Sequence, residues 1–437
     1  MLPRLIPPAL ARRVSAVETG DWRRRIATLA GAVAIGLVAL GFAWAGDLAL
    51  HRFETLAARW PWAPMVLTPA IFALCAWLTW RFAPETGGSG IPQVLAAIRR
   101  DDARADQLFS IKTALAKIGL TVLALFGGAS VGREGPTVQL GAAIMTGTHR
   151  LTGAAMRRGV LISGGAAGVS AAFNTPLAGI AFAIEELAVA YEQRMAALVM
   201  GAVIIAGITA QGLAGNYVYF GALDASLPLH TVLIAAPLAG LIGGALGGGF
   251  SRLLLSLRAR VRAGALGRRP VLLALGCGIV VAALGIATGG ATWGTGYEPA
   301  RLLLMGTEAS PWLGPAKFAA TLFTSLSGIP GGIFAPSLAV GAGFGQWLSL
   351  LFPDSAIGAI VMLGMVSYFT GVVRAPLTAV IILTETTGNI GLILPLFAAA
   401  LFADWAGSLV CRKRLYHALA EDFMPPAETD GAAKPAG

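Results

Sequence analysis

A carboxylate stands inside an apolar, glycine-rich stretch of the sequence. Residues 128–143 read GASVGREGPTVQLGAA, and Glu134 lies there between Arg133 and Gly135. A charged side chain is costly inside a membrane segment, and where one occurs it usually marks an ion or proton pathway. Glu134 is therefore a candidate for a group that binds and releases a proton. The structural alternative is a buried ion pair with Arg133.

Three glycine-rich loops share one form, in which glycines are followed by a proline or a small residue and then by an apolar helix. They read GGSGIPQV at 87–94, VGREGPTVQL at 131–140 and GIPGGIFAPSLA at 328–339. Glycine permits tight backbone turns, and proline suits the first turn of a helix. Each loop therefore offers free N–H groups and the positive end of a helix dipole. Three converging loops would bind an anion without a full cationic charge, and weakly enough to release it.

The elements that must position these loops lie in a membrane. The chain has 437 residues, of which 56% are hydrophobic and only 12% charged. Residues 26–46, much of 63–80 and 271–287 are apolar for long enough to cross about 30 Å of hydrocarbon as helices. The sequence thus predicts an all-α polytopic membrane protein.

Other apolar segments are too short for simple membrane crossings. They lie near residues 136–147, 158–172, 176–188, 334–350 and 376–386, each bounded by glycine, proline or charge. Helix ends at membrane depth are tolerated only where they are buried in protein or line a cavity. Close helix packing is the other explanation for glycine in membrane segments, and it suits GLIGGALGGGF at 240–250 better than the three loops.

The sequence also contains a domain-scale repeat. GREGPTVQLGAA at 132–143 matches GIFAPSLAVGAG at 332–343, and TPLAGIAFAIE at 175–185 matches APLTAVIILTE at 375–385, both at an offset of 200 residues. Two blocks in one register indicate two related halves. Duplicated halves with broken helices usually place a transport site at their interface near the membrane midplane.

The distribution of charge predicts the orientation and the domain limits. The formal net charge is +10, and the basic residues concentrate before residue 26, in 251–270 and in Arg412-Lys413-Arg414. The positive-inside rule places all three groups in the cytoplasm, and no basic surface suited to nucleic acid is present. We expect a cytoplasmic arm at 1–25, a first half at 26–250, a basic linker at 251–270, a second half at 271–420 and a disordered cytoplasmic tail at 421–437. Cys75, Cys277 and Cys411 show no paired spacing, and neither a disulfide nor a metal site is predicted.

These motifs together resemble those of the CLC family of chloride channels and chloride/proton antiporters. The resemblance rests on GSGIP at 88–92, GREGP at 132–136, GGIFAP at 331–336 and the tyrosine of KRLYHAL at 413–419, with FNTPLAGIAFAIEE and RAPLTAVIILTE in family order between them. It covers residues from about 30 to 420. It implies a homodimer in which each subunit, built of two inverted repeats with tilted and broken helices, has its own ion pathway. The expected subunit contacts lie on helices near 176–212 and 376–408.

The resemblance also assigns residues to the pathway. It implies that the hydroxyls of Ser89 and Tyr416 and the backbone amides of Ile333 and Phe334 bind a central chloride. Gly90 and the backbone around Arg133 and Gly135 would complete the anion sites. Glu134 falls on the gating glutamate of the family. An ionised Glu134 would occupy a place where an anion otherwise binds, and its protonation would remove that competition.

A second acid favours antiport over passive conduction. Glu186 matches the residue with which antiporter members pass protons from the cytoplasmic side. The resemblance therefore favours a chloride/proton antiporter of a bacterial inner membrane, and a voltage- or pH-gated chloride channel of the same fold is the alternative. Glu185 and Glu385 recur at the repeat offset and suit helix-end hydrogen bonding. Neither a nucleophile–base pair nor metal ligands indicate an enzyme, and no cofactor is expected.

Two features narrow the expectation within the family. Ser89 matches chloride-selective members, whereas nitrate-preferring members tend to have proline there, and the fluoride branch departs from the serine and tyrosine pattern. About twenty residues follow Tyr416. The nucleotide-binding modules of many members are therefore not expected.

Overall fold

The computed structural model describes residues 8–99, 107–153, 158–187, 193–215, 218–307 and 309–424. These residues form seventeen α-helices, which are α1 Pro8–Arg59, α2 Pro64–Phe82, α3 Ile91–Arg99, α4 Ile111–Phe126, α5 Glu134–Leu151, α6 Arg158–Phe173, α7 Pro176–Phe182, α8 Gln193–Ala214, α9 Leu229–Ala263, α10 Pro270–Ala287, α11 Tyr297–Leu304, α12 Leu313–Leu326, α13 Phe334–Ser349, α14 Ile357–Val373, α15 Pro376–Thr387, α16 Ile393–Val410 and α17 Leu415–Ala420. The predicted all-α fold is confirmed.

Six of these helices are long and apolar enough to span a membrane. The spanning segments are Trp22–Arg59, Pro64–Phe82, Ala196–Ala214, Leu229–Ala263, Pro270–Ala287 and Ile393–Val410. Four of the five segments predicted to be short are short: α6, α7, α13 and α15 have 16, 7, 16 and 12 residues, whereas α5 extends to 18. Almost every residue of α6 is buried. The short helices therefore form the interior, and the long helices surround them.

The helices repeat in order, so that α9–α16 correspond to α1–α8. The two segments that precede α5 and α13 run antiparallel where they meet at Gly132 and Gly332. Equivalent segments that run in opposite directions indicate inverted halves related by a pseudo-two-fold axis. Asn174 and Arg374, also 200 residues apart, both have positive φ, at 60° and 64°, immediately after α6 and α14.

Glycine allows the interior helices to approach closely in both halves. A Cβ on Gly141 would overlap the carbonyl oxygen of Gly164 in α6, and a Cβ on Gly341 would lie 2.8 Å from the carbonyl oxygen of Gly364 in α14. The glycines of 240–250 also pack closely, since a Cβ on Gly240 would meet the backbone of α16. The packing explanation for that segment is confirmed. The three cysteines are buried and unbridged.

The predicted boundary between the halves cuts through a helix. Helix α9 continues from Leu229 through Ala263, and the turn Ala265–Arg268 connects it to α10. Residues 251–263 therefore belong to the first helix of the second half and form no linker, and the halves meet near residue 229. The error arose because the apolar face of α9 narrows after residue 250 and arginines cover the remaining surface.

The two chain ends differ in part from their prediction. Helix α1 begins at Pro8, so most of the predicted arm at 1–25 is continuous with the first span. Of the predicted tail at 421–437, residues Glu421–Phe423 form a 3₁₀ turn against α17. Residues 425–437 lie outside the described residues.

Candidate functional site

The three glycine-rich loops meet at the centre of the molecule through their backbones. Gly132 and Gly332 donate to each other's carbonyl oxygens at 2.8 and 2.7 Å, which joins the second loop to the third. Gly331 donates to the carbonyl of Gly88 at 3.1 Å, which joins the third loop to the first. The predicted convergence is therefore confirmed.

Glycine is required where the loops touch. Gly90 has a φ of +107°, and a Cβ there would lie 2.7 Å from the carbonyl oxygen of Gly135. A Cβ on Gly135 would in turn overlap the Ser89 hydroxyl and lie 3.2 Å from the Cα of Gly332. The predicted site residues Ser89, Gly90 and Gly135 are thus in mutual contact.

Two helices begin at this meeting point and present unpaired amides to it. The first helical hydrogen bonds run from Thr137 to the Arg133 carbonyl and from Ser337 to the Ile333 carbonyl, at 2.9 and 3.0 Å. The N–H groups before Thr137 and Ser337 therefore have no partner within their helices. Both helix ends carry partial positive charge, which favours an anion between them.

A cavity of about 30 Å³ lies beside these helix ends. Ser89, Ile333 and Tyr416 line it, together with Arg258 from α9. A cavity of this size exceeds the roughly 10–15 Å³ that one water requires, so it suits one small ion. The Ser89 and Tyr416 hydroxyls are buried, and neither has a hydrogen-bond partner among the described groups. Both remain available to donate to a bound anion.

Aromatic rings fix the position of the cavity wall. Phe334 packs edge-on against Phe369 and Phe182, with ring centroids 4.9 and 5.9 Å apart, and lies 5.9 Å from Tyr416. The ring of Phe173 stacks on it at 6.3 Å. Phe334 is fully buried, so its backbone amide at the start of α13 is held in place by packing on several sides.

Glu134 lies with its carboxylate over the meeting loops. The side chain is fully buried and folds back so that a Cβ on Gly132 would overlap Oε2. The carboxylate interacts with the backbone N–H groups of Glu134 itself and of Ala335. Neither oxygen meets strict hydrogen-bond geometry to any described group. The carboxylate thus occupies the space between the two helix ends, where a free anion would bind.

Arg133 is engaged with another helix. Its guanidinium donates to the Asp47 carboxylate at 2.8 Å and to the Ala43 carbonyl at 2.9 Å, both on α1. The alternative explanation, in which Glu134 is buried only to pair with Arg133, is therefore not supported. Arg133 instead contributes its backbone and a nearby positive charge.

Water can approach the site from two sides. The Arg133 vestibule, a cavity of about 610 Å³, is lined by Asp47, His51, Glu54, Arg133 and Glu298 among others. The Ser89 vestibule, of about 290 Å³, is lined by Ser89 together with Arg258, Arg262 and Asp422. Asp422 pairs with Arg258 at 2.9 Å and also with Arg262. Arg133 of the second loop and Ser89 of the first loop thus face different openings.

Two buried lysines, neither of them singled out in the sequence, hold equivalent turns of the two repeats, and one of these turns begins the first glycine-rich loop. Lys117 donates to the carbonyls of Thr86 and Gly88 at 2.8 and 2.6 Å. Lys317, at the repeat offset, donates to the carbonyls of Thr292 and Gly294 at 2.9 and 2.8 Å. Both side chains are fully buried. The signal was available, because two lysines 200 residues apart in apolar helices are costly unless each has a structural role.

Glu186 lies apart from the loops, on a π-helical turn. Residues Ala183–Leu187 form this turn at the end of α7, and such turns are frequent at functional sites. The Glu186 carboxylate is buried, and Oε1 lies 3.3 Å from Nδ1 of His417. The hydroxyl of Tyr416 interacts electrostatically with both Glu186 and Glu134. Tyr416 therefore lies within electrostatic range of both acids.

The neighbouring acid, Glu185, has a structural role. Its carboxylate accepts from the backbone of Leu377 and Thr378 at 3.1 and 2.8 Å, at the start of α15. Glu385 accepts from Leu177 and Ala178 at 3.1 and 2.8 Å, at the start of α7. The predicted helix-end hydrogen bonding of both acids is confirmed.

Comparison with known proteins identifies the family to which this site belongs. Residues 71–408 match the profile of the family described as voltage gated chloride channel. The chain belongs to this family. The H(+)/Cl(-) exchange transporter ClcA of Cronobacter sakazakii is 33% identical over 446 residues, which cover 94% of this chain and 92% of that protein. ClcA of Salmonella agona is 30% identical over 426 residues, covering 91% and 88%.

Solved structures agree with the fold. A slow cyanobacterial Cl-/H+ antiporter superposes with a TM-score of 0.81 at 26% identity, covering 92% of this chain and 98% of that one. A eukaryotic CLC transporter superposes with a TM-score of 0.77 at 23% identity, covering 92% and 74%. At 23% identity, the similarity to the eukaryotic transporter shows a shared fold and nothing further. Both support the fold of two inverted repeats.

Proposed function

We propose that this protein exchanges chloride for protons across a membrane and that Glu134 performs both tasks. The observation that carries the proposal is the position of the Glu134 carboxylate, buried between the starts of α5 and α13 and facing the backbone amide of Ala335. A carboxylate at two helix N-termini imitates a bound anion. Chloride and the carboxylate therefore compete for one place.

Protonation resolves this competition. A neutral carboxylic acid no longer gains from the helix dipoles, so the Glu134 side chain leaves and chloride takes its place. Chloride is held next to the hydroxyls of Ser89 and Tyr416 and the amides of Ile333 and Phe334. Gly90 and Gly135 keep the loops close enough for these donors to converge. The donors to the ion are hydroxyls and helix amides, and the one cation that lines the cavity, Arg258, is paired with Asp422. The ion therefore also leaves readily.

Glu186 distinguishes exchange from passive conduction. It is a buried carboxylate on the Ser89 side of the molecule and does not line the anion cavity. In a pore that conducts only chloride, a buried carboxylate away from the anion cavity would have no role in transport. The two bacterial relatives compared above carry the name H(+)/Cl(-) exchange transporter. We therefore assign Glu186 to proton transfer. A transport assay that found chloride flux without proton flux would favour the passive channel instead.

The protein is assigned to a bacterial plasma membrane, with the Ser89 vestibule facing the cytoplasm. Arg258 and Arg262 line this vestibule, and basic residues concentrate on cytoplasmic surfaces. The Arg412-Lys413-Arg414 run precedes α17 on the same side. Both chain termini are placed in the cytoplasm. The cycle uses no metal and no redox cofactor, and nucleic acid is not a partner.

Two copies of the chain are proposed to form a homodimer within the lipid. Exposed apolar side chains lie on α7 and the π turn after it, on α8 and on α16; they include Leu177, Ile184, Ile204, Ile208, Leu394, Leu401 and Trp405. Each subunit already contains three converging loops and both acids. The subunits should therefore transport independently.

A vesicle experiment tests the proposal. The purified protein is placed in vesicles loaded with chloride, and the external pH and chloride are recorded together after dilution into low chloride. Proton movement driven by the chloride gradient supports exchange. Chloride flux without proton movement would replace the proposal by a passive channel, and no flux of either ion would reject transport.

A further inference from the structure

Glu186 has no direct access to water. Its side chain is fully buried, with an exposed fraction of 0%. Proton transfer through a chain of groups requires each donor and acceptor to lie within hydrogen-bond reach of the next. Some group must therefore carry protons between Glu186 and the solvent on the Ser89 side.

His417 occupies the position that such a group needs. Its Nδ1 lies 3.3 Å from Oε1 of Glu186, and 29% of its side chain is exposed. Neither Nδ1 nor either Glu186 oxygen is held in strict hydrogen-bond geometry by another described group. The imidazole is thus in contact with the buried acid on one side and with solvent on the other.

We propose that His417 is the proton entry residue for Glu186. This inference rests on the proposed exchange function. Histidine is the side chain that most readily gains and loses a proton near neutral pH. A proton from water binds Nε2, the proton on Nδ1 moves to Oε1 of Glu186, and the ring is left neutral with its proton on Nε2. The first tautomer returns when the exposed ring turns and exchanges its proton with water.

The fold holds both partners in place. The π turn directs Glu185 to the start of α15 and leaves the next residue, Glu186, facing α17. A regular helical turn would separate the two acids by a different angle, because a π turn contains an extra residue. On α17, the side chain next to His417 is the fully buried Tyr416. Tyr416, which lines the anion cavity, thereby anchors His417, which contacts Glu186.

Of the other charged groups near α17, some act on Glu186 directly and some are paired with each other. Arg414 and Glu185 act electrostatically on Glu186. Asp422, in the turn after α17, is occupied by Arg258 and Arg262. The remaining charged residues on the elements that flank α17 are Arg99, Arg252, Arg260, Arg412, Lys413 and Glu421. His417 is the imidazole within reach of Glu186 in the part of the chain that the structure describes.

The experiment compares His417→Gln with the unchanged protein in chloride-loaded vesicles. Proton flux in the variant should fall at least about tenfold, since a positioned proton donor contributes this much or more. Chloride binding measured by calorimetry should stay within about twofold, because His417 does not line the anion cavity. His230→Gln, which removes an exposed histidine at the start of α9, is the matched control and should leave proton flux unchanged.

Chemical rescue separates proton transfer from a structural role. In His417→Ala, added imidazole should restore proton flux in a concentration-dependent manner, whereas N-methylpyrrolidinone of similar size should not. Glu186→Gln should not respond to imidazole, and the double variant should be no slower than Glu186→Gln alone, because both residues act in one path.

The outcomes distinguish this inference from the proposed function. If the unchanged protein exchanges ions and His417→Gln retains normal proton flux, His417 is not the entry residue. A parallel loss of chloride binding without imidazole rescue would also overturn the inference in favour of a structural role. Absence of exchange in the unchanged protein would instead reject the proposed function itself.

Discussion

Gly132 and Gly332, equivalent residues of the two repeats, donate hydrogen bonds to each other's carbonyl oxygens at 2.8 and 2.7 Å. Such a reciprocal pair places the pseudo-two-fold axis between the two loops. The helices that follow, α5 and α13, then direct their N-termini to the same point from opposite halves. The duplication thus produces the anion site directly, and the repeats differ there in one decisive residue. The position that Glu134 occupies in the first repeat is occupied by Phe334 in the second, so only one of the two helix ends carries an acid.

The first prediction concerns that difference. Glu134→Gln should mimic the protonated acid, so chloride should still cross the membrane while proton coupling and most of the pH dependence disappear. The reason is that an amide carries no charge and does not compete for the helix ends. Simultaneous recording of proton and chloride flux in vesicles measures this, and normal coupled exchange in the variant would contradict the role of Glu134.

Glu186→Gln provides the contrast for the same measurement. It should also abolish proton transport, but it leaves the Glu134 carboxylate able to compete with chloride. Calorimetric chloride titrations at several pH values should therefore show weak pH dependence in Glu134→Gln and retained dependence in Glu186→Gln. Normal exchange in Glu186→Gln alone would keep Glu134 as the gate and require another proton entrance.

The second prediction concerns anion selectivity at Ser89. Its hydroxyl lines the cavity of about 30 Å³ and is free to donate to an anion. Ser89→Pro removes this point donor and should raise the preference for nitrate, which is larger and more weakly hydrated. Isotope uptake in mixed chloride and nitrate measures the ratio. An unchanged ratio would remove the Ser89 side chain from the site.

The third prediction concerns assembly. Ile204→Trp places a bulky ring on an exposed apolar position of α8 and should weaken the dimer, whereas Leu233→Trp on α9 should not. Membrane helix association depends on close packing, which a tryptophan disturbs. Crosslinking in dilute vesicles measures the dimer fraction. Equal dimer fractions in both variants would show that α8 does not form the interface, and flux per subunit should be the same in monomers.

Much of the site could be predicted from the sequence because its parts are local. Ser89, Glu134 and Ile333 each lie in a loop where glycines and a following helix reveal the geometry without any tertiary information. The repeat offset then indicated two related halves, whose interface is the usual place of a transport site. The helix-end role of Glu185 and Glu385 followed from the same offset.

The parts of the site and fold that the sequence did not predict depend on tertiary structure. Glu186 meets His417 from a π turn formed by Ala183–Leu187, and no local pattern predicted that turn. The boundary between the halves was misplaced because the arginines after residue 250 suggested a loop, although they cover the polar face of a helix that continues to Ala263. The lysines were detectable as a pair, but their carbonyl partners lie 23 to 31 residues away.

The fourth prediction concerns Glu385, one of the two acids that accept hydrogen bonds from a helix start. Glu385→Gln should destabilise the protein by about 1.5–3 kcal/mol, since each hydrogen bond to a charged group contributes on this order. It should not change the ratio of chloride to protons, because Glu385 lies away from the anion cavity. Thermal unfolding in detergent and the flux ratio in vesicles measure the two effects. A changed ratio with normal stability would make Glu385 part of the proton route.

The last prediction separates two buried lysines that have equivalent places in the repeats. Lys117 holds the carbonyls of Thr86 and Gly88, directly before Ser89, whereas Lys317 holds the equivalent loop at Thr292 and Gly294, which carries no anion donor. Replacement of either by methionine leaves at least two buried carbonyls without a donor and should cost about 2–6 kcal/mol. Only Lys117→Met should also weaken chloride binding in calorimetry, by roughly tenfold, because the Ser89 hydroxyl and the start of α3 lose their position. Equal chloride affinity in the two variants would show that Lys117 stabilises the fold without positioning Ser89.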